Sequence, residues 1–314
     1  MAIFKVKRYN PEKKAEPYYQ EFKLDIPPGA TLLDCLNLIK WTQDGSLTYR
    51  MSCRSAICGS CAVKANGHAV LACQRQATHL LRDGAIRIEP LGNMKPIKDL
   101  AVDFKPFWDK IDKVKPYLQP EDPEPPKDRE RLQSPEQFKV IDDASTCIMC
   151  GACYSDCNVL EVDDKFLGPA ALAKAQRFVG DSRDGQTRER VRELSGPGGI
   201  WDCTHCAECV ERCPKPAQPF HRIKEIMTVA LEHGVHDNNG ARHALSFVRS
   251  IRRSGRLNEN QLPVESMGYF NIKGLLELVP VGIRMLLKRK APPIIHLSIE
   301  DMDEVKRIFK ELDK

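Results

Sequence analysis

A chain of 314 residues has room for about two domains. Its 42% hydrophobic and 29% charged content is that of ordinary globular material, and a net charge of +5 without a concentrated basic face gives no argument for nucleic acid. The departure from the ordinary is thirteen cysteines, whose use as cluster-bound thiolates would also make the loaded protein less basic than its sequence.

The opening MAIFKVKRYN alternates apolar and charged residues, which predicts a strand over Phe4–Tyr9 and offers no signal-peptide core. An unexported chain sits in a reducing compartment, where clustered cysteines are metal ligands rather than disulfides. Phe22–Ile26 reads as a second strand. Thr31–Trp41 carries Leu32, Leu33, Leu36 and Ile39 at helical spacing with Thr31 as N-cap. Ala62–Leu71 reads as two short strands turning at Asn66-Gly67, and Ala85–Ile88 as another strand. This is a small mixed sheet with one helix.

Lys115–Pro126, KPYLQPEDPEPP, can be neither helix nor central strand and is expected within an interdomain linker. Beyond it the pattern is helical. Pro169–Val179 has proline in its first turn, and Phe220–His233 is stopped by Gly234. The polar segment 186–197 is expected as an exposed helix or loop. The longest apolar stretch, Ile272–Leu287, is interrupted by Lys273, Glu277, Pro280 and Arg284. It falls short of the ~20 apolar residues of a membrane span, so membrane contact is expected through a partner. Lys288–Lys290 could touch anionic lipid but reads more simply as a solvated helix end.

Twelve cysteines form three groups. Cys53, Cys58, Cys61 and Cys73 read C-x4-C-x2-C-x11-C, the opening spacing of a plant-type [2Fe–2S] site. Around them Arg54, Ser55, Gly59 and Ser60 would let backbone N–H groups point at sulfur. Zinc also accepts four thiolates, but usually through two C-x2-C knuckles, and here there is one. Cys147, Cys150, Cys153 and Cys157 read C-x2-C-x2-C-x3-C. Cys203, Cys206, Cys209 and Cys213 repeat that run and Pro214 follows. In two-cluster ferredoxins the fourth cysteine of each run serves the other cluster. The expected [4Fe–4S] ligand sets are therefore Cys147, Cys150, Cys153 with Cys213, and Cys203, Cys206, Cys209 with Cys157. Cys35 is left over and reads as a packed core thiol. His68 and His79 read as structural, while His205, between two ligands, could hydrogen-bond the distal cluster. No acid–base pair or nucleophile constellation stands out, so no catalytic residue is expected.

The expected architecture is α+β. A β-grasp plant-type [2Fe–2S] ferredoxin domain takes residues 1–105 and a proline-rich linker 106–135. An α-helical two-cluster, bacterial-ferredoxin-like domain takes 136–234, and a helical extension 235–314.

This order of domains resembles the iron–sulfur subunit of succinate dehydrogenase and fumarate reductase. Ser52–Cys61, SCRSAICGSC, and Asp164–Asp184, DKFLGPAALAKAQRFVGDSRD, carry the likeness over about residues 1–230. The resemblance implies single-electron relay from an FAD-containing flavoprotein partner, with the [2Fe–2S] cluster facing the flavin. In the commonest members a non-cysteine stands at the position of Cys206 and the distal cluster is [3Fe–4S]. Here Cys206 implies [4Fe–4S], with [3Fe–4S] as the alternative. Those members also place proline, tryptophan and histidine, lining a quinone pocket, where this chain has Asn158, Val162 and Thr204. The tail segment 274–293, GLLELVPVGIRMLLKRKAPP, is similar to the small cluster-bearing subunit of heterodisulfide reductase. That implies a cysteine-rich, membrane-associated anchor partner, through which quinone is reached, and a peripheral place on the cytoplasmic membrane face. A thiol-driven fumarate reductase or heterodisulfide-reductase-like complex is the alternative, and a zinc-dependent structural or nucleic-acid-binding protein a third.

Overall fold

The computed structural model describes residues 1–13, 16–124, 126–293 and 297–312. The first elements are β1 (Ala2–Arg8), β2 (Tyr18–Leu24), α1 (Leu32–Thr42), β3 (Ala62–Ala65), β4 (His68–Leu71), α2 (Ala77–Leu80), β5 (Ala85–Glu89), β6 (Pro96–Lys98) and β7 (Ala101–Val102). Five strands form one sheet in the order β2-β1-β5-β3-β4, with β1 and β5 parallel and the other neighbours antiparallel. The strict alternation of β1 sends Ala2, Phe4, Val6 and Arg8 inward. Against them α1 buries Leu32, Leu33, Cys35, Leu36 and Ile39. Thr31 and Asp34 close a capping box at its start, with Asp34 N–H donating to Thr31 Oγ1 at 3.2 Å and Thr31 N–H to Asp34 Oδ2 at 2.9 Å. The Asn66-Gly67 turn has φ of 51° and 88°, the pair of positive values that a two-residue hairpin of this hand demands.

β2 starts four residues before the expected Phe22. Tyr18 and Tyr19, on opposite faces, are both exposed and Phe22 is the strand's one buried residue, which hid an edge strand from a reading based on apolar alternation. Arg8, inward yet charged, is satisfied by Asp99 (3.0 Å) and Asp44 (2.6 Å). Asp99 also accepts from Tyr9 N–H and Thr48 N–H, so one carboxylate ties the end of β1, the chain after α1 and the β6–β7 turn together.

The chain continues through α3 (Lys105–Lys113), α4 (Pro135–Ser145), α5 (Ala152–Ser155), α6 (Asn158–Val162), α7 (Pro169–Val179), α8 (Thr187–Leu194), α9 (Glu208–Glu211) and α10 (Pro219–Glu232). The stretch expected to open the linker is in fact α3, which buries Phe107 and Ile111. Lys115–Glu124 forms neither helix nor strand; Pro125 lies outside the described residues. This segment is strapped down. Arg190, on the supposedly exposed α8, is buried and donates to Asp184 and to the carbonyls of Val114, Lys115 and Tyr117. Asp184 accepts from Gln119 N–H in turn. Three residues earlier, burial pushes the Asp181 carboxyl up, but hydrogen bonds from Arg183 and Arg177 overcome it and hold the group at about 2. The acidic and basic residues closing the 164–184 motif are thus a buried ion-pair clamp.

Residues Met1–Ile226 form one compact unit and Met227–Lys314 a second, so the division falls inside α10 rather than at Gly234. The two ferredoxin-like halves share a unit because their junction is dense. Asn93 Nδ2 donates to the carbonyls of Tyr154, Ser155 and Cys157, and Gly92 N–H to Ser155 Oγ. Asp156 accepts from Ala69 N–H at 2.8 Å and pairs with Lys64 at 3.3 Å and Arg212 at 3.9 Å. In the second unit, α11 (Asn239–Ser254) packs on α12 (Gln261–Met267) and α14 (Met302–Leu312), while α13 (Ile272–Leu287) touches α12 near its own start. Glu265 accepts from Arg249, Gln261 and Tyr269 and holds this second unit from within.

Arg190→Met should leave Asp184 buried without its partner, at a cost of ~3–5 kcal/mol. A lowered thermal midpoint, with faster proteolytic cleavage between residues 115 and 124, is the expected reading; an unchanged midpoint would refute the clamp.

Candidate electron-transfer centre

The first cysteine group lies on the chain between α1 and β3 and just after β4. Arg54, Ala56 and Gly59 all adopt positive φ (58°, 56° and 73°). For two non-glycine residues that is strained backbone, costing on the order of 1–3 kcal/mol each. It turns successive amides inward. The N–H groups of Ser55, Ile57 and Cys58 approach Cys53 Sγ at 3.3–3.4 Å, and Ala56 N–H approaches Cys73 Sγ at 3.3 Å. The donors hold the Cys53 thiol down at about 6. Cys61, buried, is pushed up to about 12. Cys58 is exposed, as are Ser52, Arg54, Ser55 and Ile57 around it.

The second and third groups fold as two copies of one loop. Met149 and His205, two residues after Cys147 and Cys203, have φ of 52° and 58°. Gly151 and Ala207, four residues after, have 79° and 60°. Each loop then enters a four-residue helix, α5 or α9. Glycine marks one of the four positive-φ positions, so the other three were silent in the sequence. Cys147, Cys150, Cys153 and Cys213 line one cavity. Cys157, Cys203, Cys206 and Cys209 line a second. The four thiols around each fit a cluster. Each cavity joins three cysteines of one run with the last cysteine of the other run.

The buried thiols resist ionisation. Burial raises Cys150 to about 11, Cys209 to about 12 and Cys153 well above the ordinary thiol. Four thiolates in so small and dry a space are compatible only with a strong cationic charge among them. The donor set, soft sulfur throughout, suits iron–sulfur clusters.

Three contacts bear on electron movement. A Cβ on Gly59 would stand 2.7 Å from Cys150 Cβ, so the first loop touches a ligand of the second site directly. α5 carries Cys153 of the second site and leads to Cys157 of the third, and α9 carries Cys209 and leads back to Cys213. Cys58 in the first site and Cys206 in the third are exposed, whereas no ligand of the second site is.

Thr204 Oγ1 donates to Asn158 Oδ1 at 3.1 Å, and Cys206 Sγ lies 3.9 Å from the same oxygen. Two of the positions that depart from the commonest pattern therefore meet at the exposed ligand. Val162, also exposed, sits on α6. His205 donates its backbone N–H toward Cys203, and its ring stacks near Phe220 at 5.4 Å. Cys35 is fully buried in α1, where desolvation raises it to about 11. His79 is exposed on α2. His68, Asp156 and Glu208 bring ligand atoms within 4.8 Å of one another, but Lys64 and Arg212 already neutralise Asp156, which makes this a junction contact. Sequence reasoning missed Asn93, which grips the carbonyls leading into Cys157; a lone Asn at φ 57° carries no motif.

Comparison with known proteins agrees with this geometry. Residues 3–109 match the family described as "2Fe-2S iron-sulfur cluster binding domain", and residues 143–217 the "4Fe-4S dicluster domain". The chain is 36% identical over 292 residues to the 8-methylmenaquinol:fumarate reductase iron-sulfur subunit of Wolinella succinogenes, covering 91% of this chain and 89% of that one. It is 38% identical over 233 residues to the fumarate reductase iron-sulfur subunit of Mycobacterium tuberculosis, covering 74% and 94%. Its fold is also that of a chain in the Mycobacterium smegmatis Sdh1 complex in the apo form, with a TM-score of 0.58 at 22% identity over 74% of this chain and 96% of that one.

Gly59→Ala should force the first loop off Cys150. We expect weaker magnetic coupling between the first and second clusters in the reduced protein, with each cluster's own signal retained. Unchanged coupling would show that the contact does not set their spacing.

Proposed function

From the premise that this chain belongs to the family of iron–sulfur subunits of succinate dehydrogenase and fumarate reductase, we propose the path and the ends of its electron relay. Bound clusters supply one-electron redox steps, and the chain's own residues set their order and access. The observation that carries the reading is the pattern of exposure: Cys58 at the first site and Cys206 at the third are exposed, and no cysteine of the middle site is. Electrons thus have two places of exchange with partners and a shielded centre.

In this reading Cys53, Cys58, Cys61 and Cys73 hold the [2Fe–2S] cluster, whose exposed loop meets the FAD-containing subunit through Ser52–Ile57. Cys147, Cys150, Cys153 and Cys213 hold the middle [4Fe–4S] cluster. Cys203, Cys206, Cys209 and Cys157 hold the distal one, with Cys206 as its fourth ligand. The four-part division at residues 105, 135 and 234 is proposed as a functional partition: first cluster, strap, cluster pair, tail.

The distal exit differs from the commonest pattern. Asn158 and Thr204 meet at Cys206, a polar pair where the commonest members place proline and histidine. We read the acceptor as a membrane-associated anchor subunit of the cysteine-rich kind, with quinone reached through it. The match to the Wolinella subunit supports this. It extends over 91% of the chain, against 74% for the M. tuberculosis subunit, so it includes part of the tail beyond the cluster domains. The name of that relative makes a methylated menaquinol the quinone class to test. The complex lies peripherally on the cytoplasmic membrane face; among the described residues no helix is long and apolar enough to cross a membrane.

Iron analysis of the freshly prepared complex should give about ten irons, from two, four and four. Low-temperature EPR of the oxidised complex should lack a strong [3Fe–4S] signal. About nine irons with that signal would overturn the assignment of Cys206. Cys206→Ser is expected to convert or weaken the distal cluster while the other two signals persist.

A further inference from the structure

α13 is unlike the other long helices. Its sixteen residues include ten large apolar side chains, yet Gly274 alone is buried. From Val279 to Lys290 every residue is exposed. Helices α11 and α12 bury Ala241, three serines and the Glu265 carboxylate, while α13 rests on α12 near its start, where Gly274 meets Met267. At about 100° per residue, Lys273, Glu277 and Arg284 fall within roughly 40° of one another. The remaining circumference is apolar: Leu276, Ile283 and Leu287 lie beside Ile272, Val279 and Leu286.

The ends are equally one-sided. Tyr269 and Phe270 stand before the helix, Phe270 being 99% exposed. Lys288, Arg289 and Lys290 follow it. With Lys273 and Arg284 against Glu277, helix and flank carry five basic groups and one acid. An apolar arc wider than half the circumference leaves little polar surface for water on a protein-bound helix. It suits burial in a soft apolar medium, with aromatic rings at one end and basic groups at headgroup level. At 1.5 Å per residue the helix is ~24 Å long, below the ~30 Å of a bilayer core.

We propose that α13 is an in-plane membrane anchor: it lies in the headgroup region of an anionic lipid surface, held by Lys288, Arg289 and Lys290. This deepens the peripheral placement proposed above and rests on it. It also revises the expectation that this chain meets the membrane through a partner alone.

Co-sedimentation of the cluster-loaded full chain with phosphatidylcholine vesicles, with and without phosphatidylglycerol, tests the proposal. Binding is expected to anionic vesicles and to weaken with salt. K288Q/R289Q/K290Q should lower the vesicle partition coefficient by about a hundredfold, from roughly fivefold per charge. L276E/L287E should abolish binding, with the EPR signals of the clusters unchanged in both variants. Equal binding to neutral and anionic vesicles, or wild-type binding by the triple variant, would overturn it. So would a variant that keeps its lipid affinity but loses a co-purifying subunit, which would make α13 a protein-docking helix. Cell fractionation separates the two readings. A native complex found wholly in the soluble fraction sinks the peripheral placement itself. A membrane-bound complex whose α13 variants fractionate like wild type sinks only the anchor.

Discussion

The protein rests on thiolates that its own fold disfavours. Twelve sulfurs are gathered into three small volumes, all but two of them buried or half-buried, and burial keeps a thiol protonated. What reverses that preference is the positive charge of iron, so cluster assembly and folding of the helical half are a single event. The two runs meet at both cavities: Cys157 ends one run and lines the other run's cavity, and Cys213 does the converse. Neither run encloses its cavity alone.

The backbone contributes through strain rather than through side chains. Arg54, Ala56, Met149, His205 and Ala207 hold positive φ without being glycine. Each bends the chain so that amides face sulfur, and amide donors are what a cluster's potential responds to. The same geometry fixes access. Between the two halves of the first unit, Asn93 and Asp156 tie the junction and the Gly59 backbone packs against Cys150 of the middle site. The outer two sites each keep one ligand in solvent. An electron carrier needs that asymmetry, because partners must come close while water and oxidants are kept from the centre.

Stability and function are shared out differently along the chain. The acidic and basic residues of 164–184, which carry family likeness, serve as a clamp on the strap segment rather than as ligands. The tail holds its own small core around Glu265 and leaves its most apolar helix outside that core. A fold that spends four helices to present one unpacked apolar surface is organised for attachment.

Much of this was legible in the residues. Cysteine spacing depends on the reach of a few bonds around an iron atom, so it named the cluster types with no fold in hand. Asn66-Gly67 and the Thr31–Asp34 cap were equally local and equally readable. What tertiary structure alone decided was relation at a distance. That Arg190 on a polar helix is buried, that Asn93 grips the entry to Cys157, and that Gly59 lies on Cys150 depend on segments tens of residues apart. The exposure of α13 belongs here too. An apolar helix reads the same in sequence whether its neighbours cover it or not, because periodicity records which face is apolar and only packing decides whether that face is met.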